Sequence, residues 1–247
     1  MYKYKLNQQL KSDFSDFLLN IKNHFIDNSQ TIHKARNELK VIECNGVETI
    51  VKSFKIPNPI NQIVYSFFRD SKAKRSYEHS LIIEKFAPKA IGYIEFYSGI
   101  CLKESYFISE KFDYDFTIRE PLFQQDFEDR DEIFRAFARF TLELHNHDIF
   151  HFDYSPGNIL IKKENGIYNF KIVDINRMKF FKLSQKDRAI NFSKLWADGE
   201  TLKIIGDEYK KHHKCDEDFV KQLIEFTVAD KKTKSMKKNM KKRLLGK

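Results

Sequence analysis

A short stretch in the second half of the chain gathers residue types that can do acid–base and metal chemistry. It reads HFDYSPGN over residues 151–158, and Asp174 follows Asn158 at the end of a second apolar run. A loop carboxylate such as Asp153 can orient a hydroxyl group and accept its proton. The Asn158 amide and the Asp174 carboxylate offer the oxygen ligands that magnesium prefers. Together these side chains predict phosphoryl transfer, in which positioning and charge neutralisation supply most of the catalysis.

Phosphoryl transfer also needs a cation for the phosphates of the donor, and a strand earlier in the chain supplies one. The run VETIVKSF over 47–54 has the composition of a strand, and Lys52 alternates in it with the apolar Val51. Lys55 is the other candidate, but the period of two favours Lys52. Glu78, on a helix predicted over 71–86, is the expected ion-pair partner of Lys52, with Glu84 as the alternative.

The elements that must position these residues fall into a strand-rich part and a helical part. Asn45-Gly46 is a dipeptide typical of a tight hairpin turn. In the first part we predict helices over 60–68 and 71–86 and strands over 30–33, 38–44, 47–54, 90–96 and 105–110. In the second part we predict a small β pair over 159–162 and 168–173 and helices over 126–147, 184–196 and 216–228. Acidic residues at the start of the 126–147 helix suit the positive end of a helix dipole.

The sequence therefore predicts an α+β, bilobal fold with a small strand-rich N-lobe and a helical C-lobe. The expected boundaries are an N-terminal extension over 1–29, the N-lobe over 30–112, the C-lobe over 113–230 and a basic tail over 231–247.

The net charge of +9 is confined to that tail. The chain has 44 Lys and Arg against 35 Asp and Glu, and residues 231–247 contain nine basic residues and no acidic one. Because 35 basic and 35 acidic residues remain in the first 230, the body of the protein is formally neutral and no nucleic-acid partner is expected. The three cysteines have no CxxC spacing, which excludes a disulfide framework and a structural zinc site. With no signal peptide or apolar run of about 20 residues, we expect a cytoplasmic protein, either soluble or peripheral on a membrane.

The order of the motifs resembles the protein-kinase-like superfamily, and within it the lipopolysaccharide core sugar kinases that act on Kdo and heptose. The resemblance covers roughly residues 30–200. It is carried mainly by LHNHDIFHFDYSPGNIL (144–160) and VDINRM (173–178), and also by VKSFKIPNPIN (51–61), SKAKRSYEHS (71–80) and YDFTIRE (114–120). It implies ATP and Mg²⁺ as cofactors and a Kdo or heptose hydroxyl on lipid A as acceptor.

Residue by residue, the resemblance implies Asp153 as catalytic base and Asn158 and Asp174 as magnesium ligands. It places Lys52 on the ATP phosphates with Glu78 as its partner. It also implies that the backbone of the linker from Glu110 to Phe112 faces the adenine.

Departures from the protein-kinase pattern concern the donor phosphates and the acceptor. The turn Lys34-Ala35-Arg36-Asn37 stands where a glycine-rich loop is expected, so Arg36 is a candidate substitute for backbone contacts. Because no extended activation loop follows Asp174, a sugar or another small molecule is a better acceptor than a peptide. The alternatives are a kinase of a soluble small molecule or protein, and a non-catalytic kinase-like scaffold that binds nucleic acid through its tail.

Further residues receive secondary roles. His151 is expected to hold the catalytic loop by hydrogen bonds, and His145 to lie at a helix end. Arg119 and Arg177 are candidates to bind a carboxylate or phosphate of the substrate, with surface salt bridges as the alternative. In the tail, Met236, Met240 and Leu244 recur every fourth residue, which is typical of a helix lying on a membrane surface. We therefore expect binding to the cytoplasmic face of the inner membrane, or else a frayed end.

Overall fold

The computed structural model describes the backbone of residues 1–34, 37–54 and 69–244, and the side chains of these residues except 33–34 and 241–244. Within this range the chain forms two compact units. The N-unit comprises Met1–Asp113 together with Asp174–Asn176, and the C-unit comprises Tyr114–Val173 and Arg177–Lys247. The predicted helix over 60–68 lies outside the described residues.

The N-unit is built on a six-stranded antiparallel sheet. Its order is β1-β5-β6-β4-β3-β2, so β4, which carries Lys52, lies in the interior of the sheet. The strands are β1 (Tyr2–Leu6), β2 (Thr31–Lys34), β3 (Glu38–Cys44), β4 (Val47–Phe54), β5 (Ala90–Ser98) and β6 (Cys101–Glu110). Asn45 and Gly46 join β3 to β4 with φ angles of 51° and 75°. Both angles are positive, as the hairpin dipeptide predicts.

The first 29 residues are part of the N-unit sheet and its core. β1 pairs with β5 through the register Tyr2↔Phe96, and the helices α1 (Lys11–Leu19) and α2 (Ile21–Asp27) follow. Their apolar side chains cover one face of the sheet, where they pack against Val51, Ile94 and Ile108. The side chains from these helices are Phe14, Phe17, Leu18, Ile21 and Phe25.

The opposite face of the sheet carries the helix α3 (Lys72–Ile83). The Ser71 hydroxyl accepts a hydrogen bond from the Lys74 amide and caps the start of this helix. Tyr77 of α3 packs with Phe54 of β4 and Tyr93 of β5. Since side chains alternate along a strand, Lys52 projects to the same side as Phe54, toward α3, while Val51 enters the other core.

The C-unit is largely helical, with two small sheets ordered β10-β9-β7 and β11-β8. Its strands are β7 (Phe116–Thr117), β8 (Ile149–His151), β9 (Ile159–Glu164), β10 (Ile167–Ile172) and β11 (Met178–Phe180). Its helices are α4 (Arg119–Phe123), α5 (Arg130–Asn146), α6 (Gln185–Phe192), α7 (Gly199–His212) and α8 (Phe219–Leu244). The sequence pattern did not predict α7.

Helix α5 begins later than its acidic pattern indicates. The first helical residue is Arg130, and Asp129 before it has a φ of 56°, in the left-handed region. The Asp129 carboxylate accepts hydrogen bonds from Lys163 Nζ at 2.7 Å and from the Tyr168 hydroxyl at 2.8 Å. This acidic residue therefore anchors the β9–β10 hairpin and does not lie in the first turn of the helix.

The helix α8 extends sixteen residues beyond the predicted end at 228, to Leu244. Its first half packs closely on α7, where a Cβ added to Gly206 would lie 2.9 Å from side-chain atoms of Val220 and Leu223. A side chain at position 206 would therefore push the two helices apart. In the described part of the chain, no helix combines the length and the apolar character that a membrane crossing requires.

Candidate active site

The loop over residues 151–158, called the catalytic loop after its predicted role, starts from a buried histidine. His151 ends β8 and has no solvent exposure. Its Nε2 donates to the Val173 carbonyl at 3.1 Å, and its Nδ1 accepts from the Asp153 amide at 3.0 Å. These two partners place the proton on Nε2. The imidazole therefore fixes the backbone on both sides of the loop, as the sequence predicts for His151.

Asn158 closes the other end of the loop. Its Nδ2 donates to the Asp153 carbonyl at 2.9 Å, and its backbone amide donates to the Ser155 carbonyl at 2.9 Å. Its own carbonyl accepts from the Val173 amide at 2.9 Å, which ties the loop to the end of β10. No described residue donates to the Asn158 side-chain oxygen or to the Asp153 carboxylate. Both groups are thus held in place by backbone contacts while their oxygens stay available.

A residue that the sequence pattern did not single out supports this loop. Asn191, buried in α6, donates from Nδ2 to the His151 carbonyl at 2.8 Å. Its Oδ1 accepts from His145 Nε2 at 3.1 Å, and His145 Nδ1 accepts from the Tyr209 hydroxyl at 2.9 Å. Burial lowers the pKa of His145 to about 3, a shift that Arg188 reinforces, so this imidazole is neutral at physiological pH.

His145 is therefore part of an interior hydrogen-bond chain and not only a helix-end residue. An isolated asparagine in an amphipathic helix carries no motif, which explains why sequence reasoning missed Asn191.

A cavity of about 760 Å³ opens beside Asp153 within the C-unit. Ser155 and Pro156 of the loop line it, together with Arg119 of α4. Cavities of a few hundred to about 1,000 Å³ are typical of small-molecule sites. Arg177, the other arginine predicted to bind substrate, is exposed and is not among the residues that line this cavity.

In the N-unit, Lys52 and Asp174 form an ion pair. Lys52 Nζ lies 2.6 Å from Asp174 Oδ1, with the two side chains 12% and 32% exposed. The same oxygen accepts from Asn176 Nδ2 at 2.7 Å. The carboxylate is therefore partly buried among donors and remains close to solvent.

The helix α3 clamps the segment Asp174–Asn176 through its backbone. Arg75 Nη1 donates to the Asn176 carbonyl at 2.9 Å, and His79 Nδ1 donates to the Ile175 carbonyl at 2.7 Å. These two residues lie four positions apart and thus on one face of the helix. Asp174 itself has a φ of 57°, in the left-handed region that only a few side chains adopt. The clamp holds this backbone in place.

Glu78 is not the ion-pair partner of Lys52 in this structure, and here the sequence expectation is corrected. Its carboxylate lies 3.8 Å from Lys74 Nζ, one turn before it on the same helix. Arg75 and His79 occupy the helix face that meets the Asp174 segment, and Glu78 lies beside that face. The alternation of side chains along a strand predicts that Lys52 lies on the face opposite Val51, but it cannot choose between Glu78 and a carboxylate 122 residues away.

In the linker after β6, two of the three backbone amides donate to described residues. The Glu110 amide donates to the Lys89 carbonyl and the Lys111 amide to the Glu48 carbonyl, both at 2.9 Å. The backbone of Phe112 makes no hydrogen bond with any described residue. Of the three linker amides, that of Phe112 is therefore the one that no described residue accepts from. Arg36, the candidate for phosphate contacts, lies outside the described residues.

The two residues predicted as magnesium ligands belong to different units, Asn158 to the C-unit and Asp174 to the N-unit. Within the described ranges, no group of three or more His, Cys, Asp or Glu side chains is arranged to hold a metal ion. Each of the two predicted ligands is an oxygen donor of the kind that magnesium prefers, an amide at Asn158 and a carboxylate at Asp174. Mg²⁺ typically takes one or two carboxylates and completes its shell with phosphate oxygens and waters.

Comparisons with known proteins establish the fold class. No protein-family model matches this sequence. No curated protein matches it either. Among solved structures 1172 chains match, so the fold is widely shared and does not by itself select an activity. One is a structure of WaaP in complex with acyl carrier protein, which aligns with a TM-score of 0.52 and 14% identity over 85% of this chain and 89% of that chain.

At this level of identity, structural likeness establishes the fold alone. The protein has the predicted α+β, protein-kinase-like fold, with a strand-rich N-unit and a helical C-unit.

Proposed function

We propose that this protein is an ATP- and Mg²⁺-dependent kinase that phosphorylates a sugar hydroxyl, of Kdo or heptose, in the lipopolysaccharide inner core. The observation that carries the proposal is the catalytic loop. Its internal hydrogen bonds use the backbone of Asp153 and the Nδ2 group of Asn158, and they leave the oxygens of both side chains to other partners. This is the arrangement that a base and a metal ligand on one short loop require.

In the proposed reaction, the acceptor hydroxyl binds in the cavity beside Asp153. The Asp153 carboxylate orients the hydroxyl and takes its proton as the oxygen attacks the terminal phosphorus of ATP. The bond between that phosphorus and the bridging oxygen breaks, and ADP leaves. His151 and Asn158 hold the loop still, so that the carboxylate needs little rearrangement during the reaction.

Lys52 and the linker are the proposed nucleotide contacts. The Lys52 ammonium would bind donor phosphate oxygens, and the backbone of Phe112 would bind the adenine, next to Glu110. Asn158 and Asp174 would hold Mg²⁺. When bound, the ion neutralises the phosphate charge and assists departure of the leaving group. Lys52 and Asp174 already form an ion pair, so the proposed phosphate-binding cation and the proposed magnesium ligand lie together before the substrates arrive.

We also propose that the basic end of α8 attaches the enzyme to the cytoplasmic face of the inner membrane, where a lipid-linked sugar is found. Met236 and Met240 are 57% and 60% exposed on the helix, next to several lysines. An amphipathic helix of this composition binds an anionic lipid surface through both its charges and its apolar side chains. Because the WaaP structure contains acyl carrier protein, pull-down experiments should also test whether this chain binds a protein partner.

The test is transfer of labelled phosphate from ATP to Kdo-lipid A and to a heptose-containing core, each with magnesium. We expect label in the glycolipid, and a rate roughly a hundred-fold lower or worse for Asp153→Asn. Asp148→Asn is the matched control, because Asp148 is exposed in the turn before β8 and its φ of 57° suits asparagine equally well. ATP binding, measured separately, should survive both substitutions.

Failure of the proposal would take a definite form. Label in water-soluble sugars but not in glycolipid would show that the acceptor is a soluble sugar and not a lipid-linked one. Label in the protein alone would indicate a protein kinase. If wild type and Asp153→Asn are equally inactive and neither binds ATP, the protein is a kinase-like scaffold.

A further inference from the structure

One wall of the cavity beside Asp153 is made by residues outside the catalytic loop that have no assigned part in the proposed phosphoryl transfer. It consists of the turn after α6 and of the middle turns of α8, where the basic tail begins. Among the residues that line the cavity are Arg119, Lys194, Trp196, Asp230, Lys234 and Lys237. Four are cations, and Asp230 is the acidic member of this group.

Two of these side chains neutralise each other. Lys194 and Asp230 form a close ion pair, and Trp196 Nε1 donates to the other oxygen of Asp230 at 2.8 Å. Burial alone would raise the pKa of Asp230, but these hydrogen bonds lower it. Asp230 is therefore ionised and anchors Lys194 and Trp196, while Lys234 attracts it from beyond ion-pair distance.

The remaining three cations have no such partner. In the part of the chain that the structure describes, no carboxylate lies within ion-pair distance of Arg119, Lys234 or Lys237. Lys234 Nζ instead lies 3.5 Å from the centroid of the Trp196 ring. The Arg119 guanidinium lies against Gly157 of the catalytic loop, where an added Cβ would be 3.0 Å from Nη2. Glycine at 157 thus lets the arginine approach the loop.

Positive charge accordingly exceeds negative charge around this cavity. A cleft lined by charge of one sign concentrates ligands of the opposite sign, and guanidinium and ammonium groups bind carboxylates and phosphates by charge-assisted hydrogen bonds. Asp153 would repel an anion placed directly on it. The anionic group of a ligand therefore belongs on the wall formed by Arg119 and α8, with a hydroxyl near Asp153.

We infer that this cavity binds an acceptor sugar that already carries an anionic group, a carboxylate or a phosphate, and that Arg119, Lys234 and Lys237 determine this specificity. The inference rests on the proposed function and narrows it. Kdo is a sugar acid with a carboxylate, whereas a heptose is neutral until it is phosphorylated. Kdo and a phosphorylated heptose thus fit the site, and an unmodified heptose does not.

The chain offers a direct readout, because Trp196 is its single tryptophan and lines the cavity. Its fluorescence can be titrated with Kdo, Kdo methyl ester, a heptose and a heptose phosphate. We expect a saturable change with the two anions and little with the two neutral sugars. The double variant Lys234→Gln, Lys237→Gln should weaken anion binding by roughly ten-fold or more. A response to only one of the two anions would still support the inference and would name the group.

The matched control is Lys186→Gln, Lys203→Gln. It removes the same charge from exposed positions on α6 and α7, neither of which lines the cavity. Circular dichroism should show both double variants folded. Equal binding of neutral and charged sugars, or equal weakening by both double variants, would overturn the inference.

The inference and the proposed function can fail separately. Anion binding that depends on Lys234 and Lys237, without any phosphate transfer, would support the anion site and contradict the proposed kinase activity. Phosphate transfer to a neutral heptose at the rate seen with Kdo would support the proposed kinase activity and contradict the anion site.

Discussion

Lys52 Nζ lies 2.6 Å from Oδ1 of Asp174, a residue 122 positions further along the chain. The pair couples the proposed phosphate-binding cation to the proposed magnesium ligand within one unit. Replacing Lys52 by methionine should lower kcat/KM for ATP by about a hundred-fold or more, because a preorganised positive charge is lost. Lys5→Met, on the exposed edge strand β1, is the control. Steady-state kinetics would contradict this prediction if both variants behaved as wild type.

Glu78→Gln should have a much smaller effect than Lys52→Met. The carboxylate of Glu78 faces Lys74 on the surface of α3, and an exposed pair within a helix contributes only about 0.3–0.5 kcal/mol. We expect KM for ATP to change by about two-fold or less, which corresponds to that energy. A loss as large as that of Lys52→Met would show that Glu78 moves to Lys52 when nucleotide binds.

Asn191 is expected to act as a positioning residue for the catalytic loop. Asn191→Leu leaves the His151 carbonyl and His145 Nε2 without their partner, which should cost about 2–3 kcal/mol of unfolding free energy. The loop should lose its fixed position, so kcat should fall while KM for ATP changes little. Urea unfolding and steady-state kinetics measure the two effects. A loss of stability at unchanged kcat would assign Asn191 a structural role only.

The depressed pKa of His145 predicts a loss of stability in mild acid. The unfolded imidazole binds a proton with a pKa near 6.5, whereas the folded one does so only at about 3. Stability from this group is therefore fully present above about pH 6.5 and is lost progressively as the pH falls toward 3. Between pH 7 and pH 5 the loss should be about 2 kcal/mol.

His145→Gln should remove this part of the pH dependence. His147→Gln, at the exposed end of the same helix, should leave it intact. Unfolding free energies of the three proteins at pH 7 and pH 5 decide the matter, and identical slopes in all three would contradict the assignment.

Deleting residues 241–247 should separate the two proposed uses of the basic tail. The deletion removes Lys241, Lys242, Arg243 and Lys247 but keeps the lysines of the cavity wall. Binding to anionic vesicles should weaken, on the order of 1 kcal/mol for each charge near the surface. The response of Trp196 fluorescence to an anionic sugar should stay unchanged. Vesicle binding equal to that of the full chain would show that residues 241–247 do not contribute to membrane binding.

Local chemistry explains the features that the sequence predicted well. The Asn45-Gly46 turn follows from the positive φ angles these residues tolerate. The catalytic role of the loop between His151 and Asn158 stays a prediction from their spacing. The fold class followed from the order of such motifs.

Features that depend on distant contacts were missed. Nothing in the composition of Tyr2–Leu6 reveals that it pairs with β5, some ninety residues later. The same holds for the Lys52–Asp174 pair, for Asn191 and for the approach of α8 to the cavity. Each is selected by tertiary packing, which a local pattern does not contain.

The N-unit is discontinuous in sequence, since Asp174–Asn176 belong to it although the chain on both sides lies in the C-unit. A fragment ending at Asp113 would lack the acceptors of three donors, Lys52, Arg75 and His79. During synthesis this unit cannot complete its contacts until residue 176 has emerged from the ribosome. The two units are thus not interchangeable modules. A chimaera that joins this N-terminal half to another kinase-like C-terminal half would also need residues equivalent to Asp174–Asn176 in that second half.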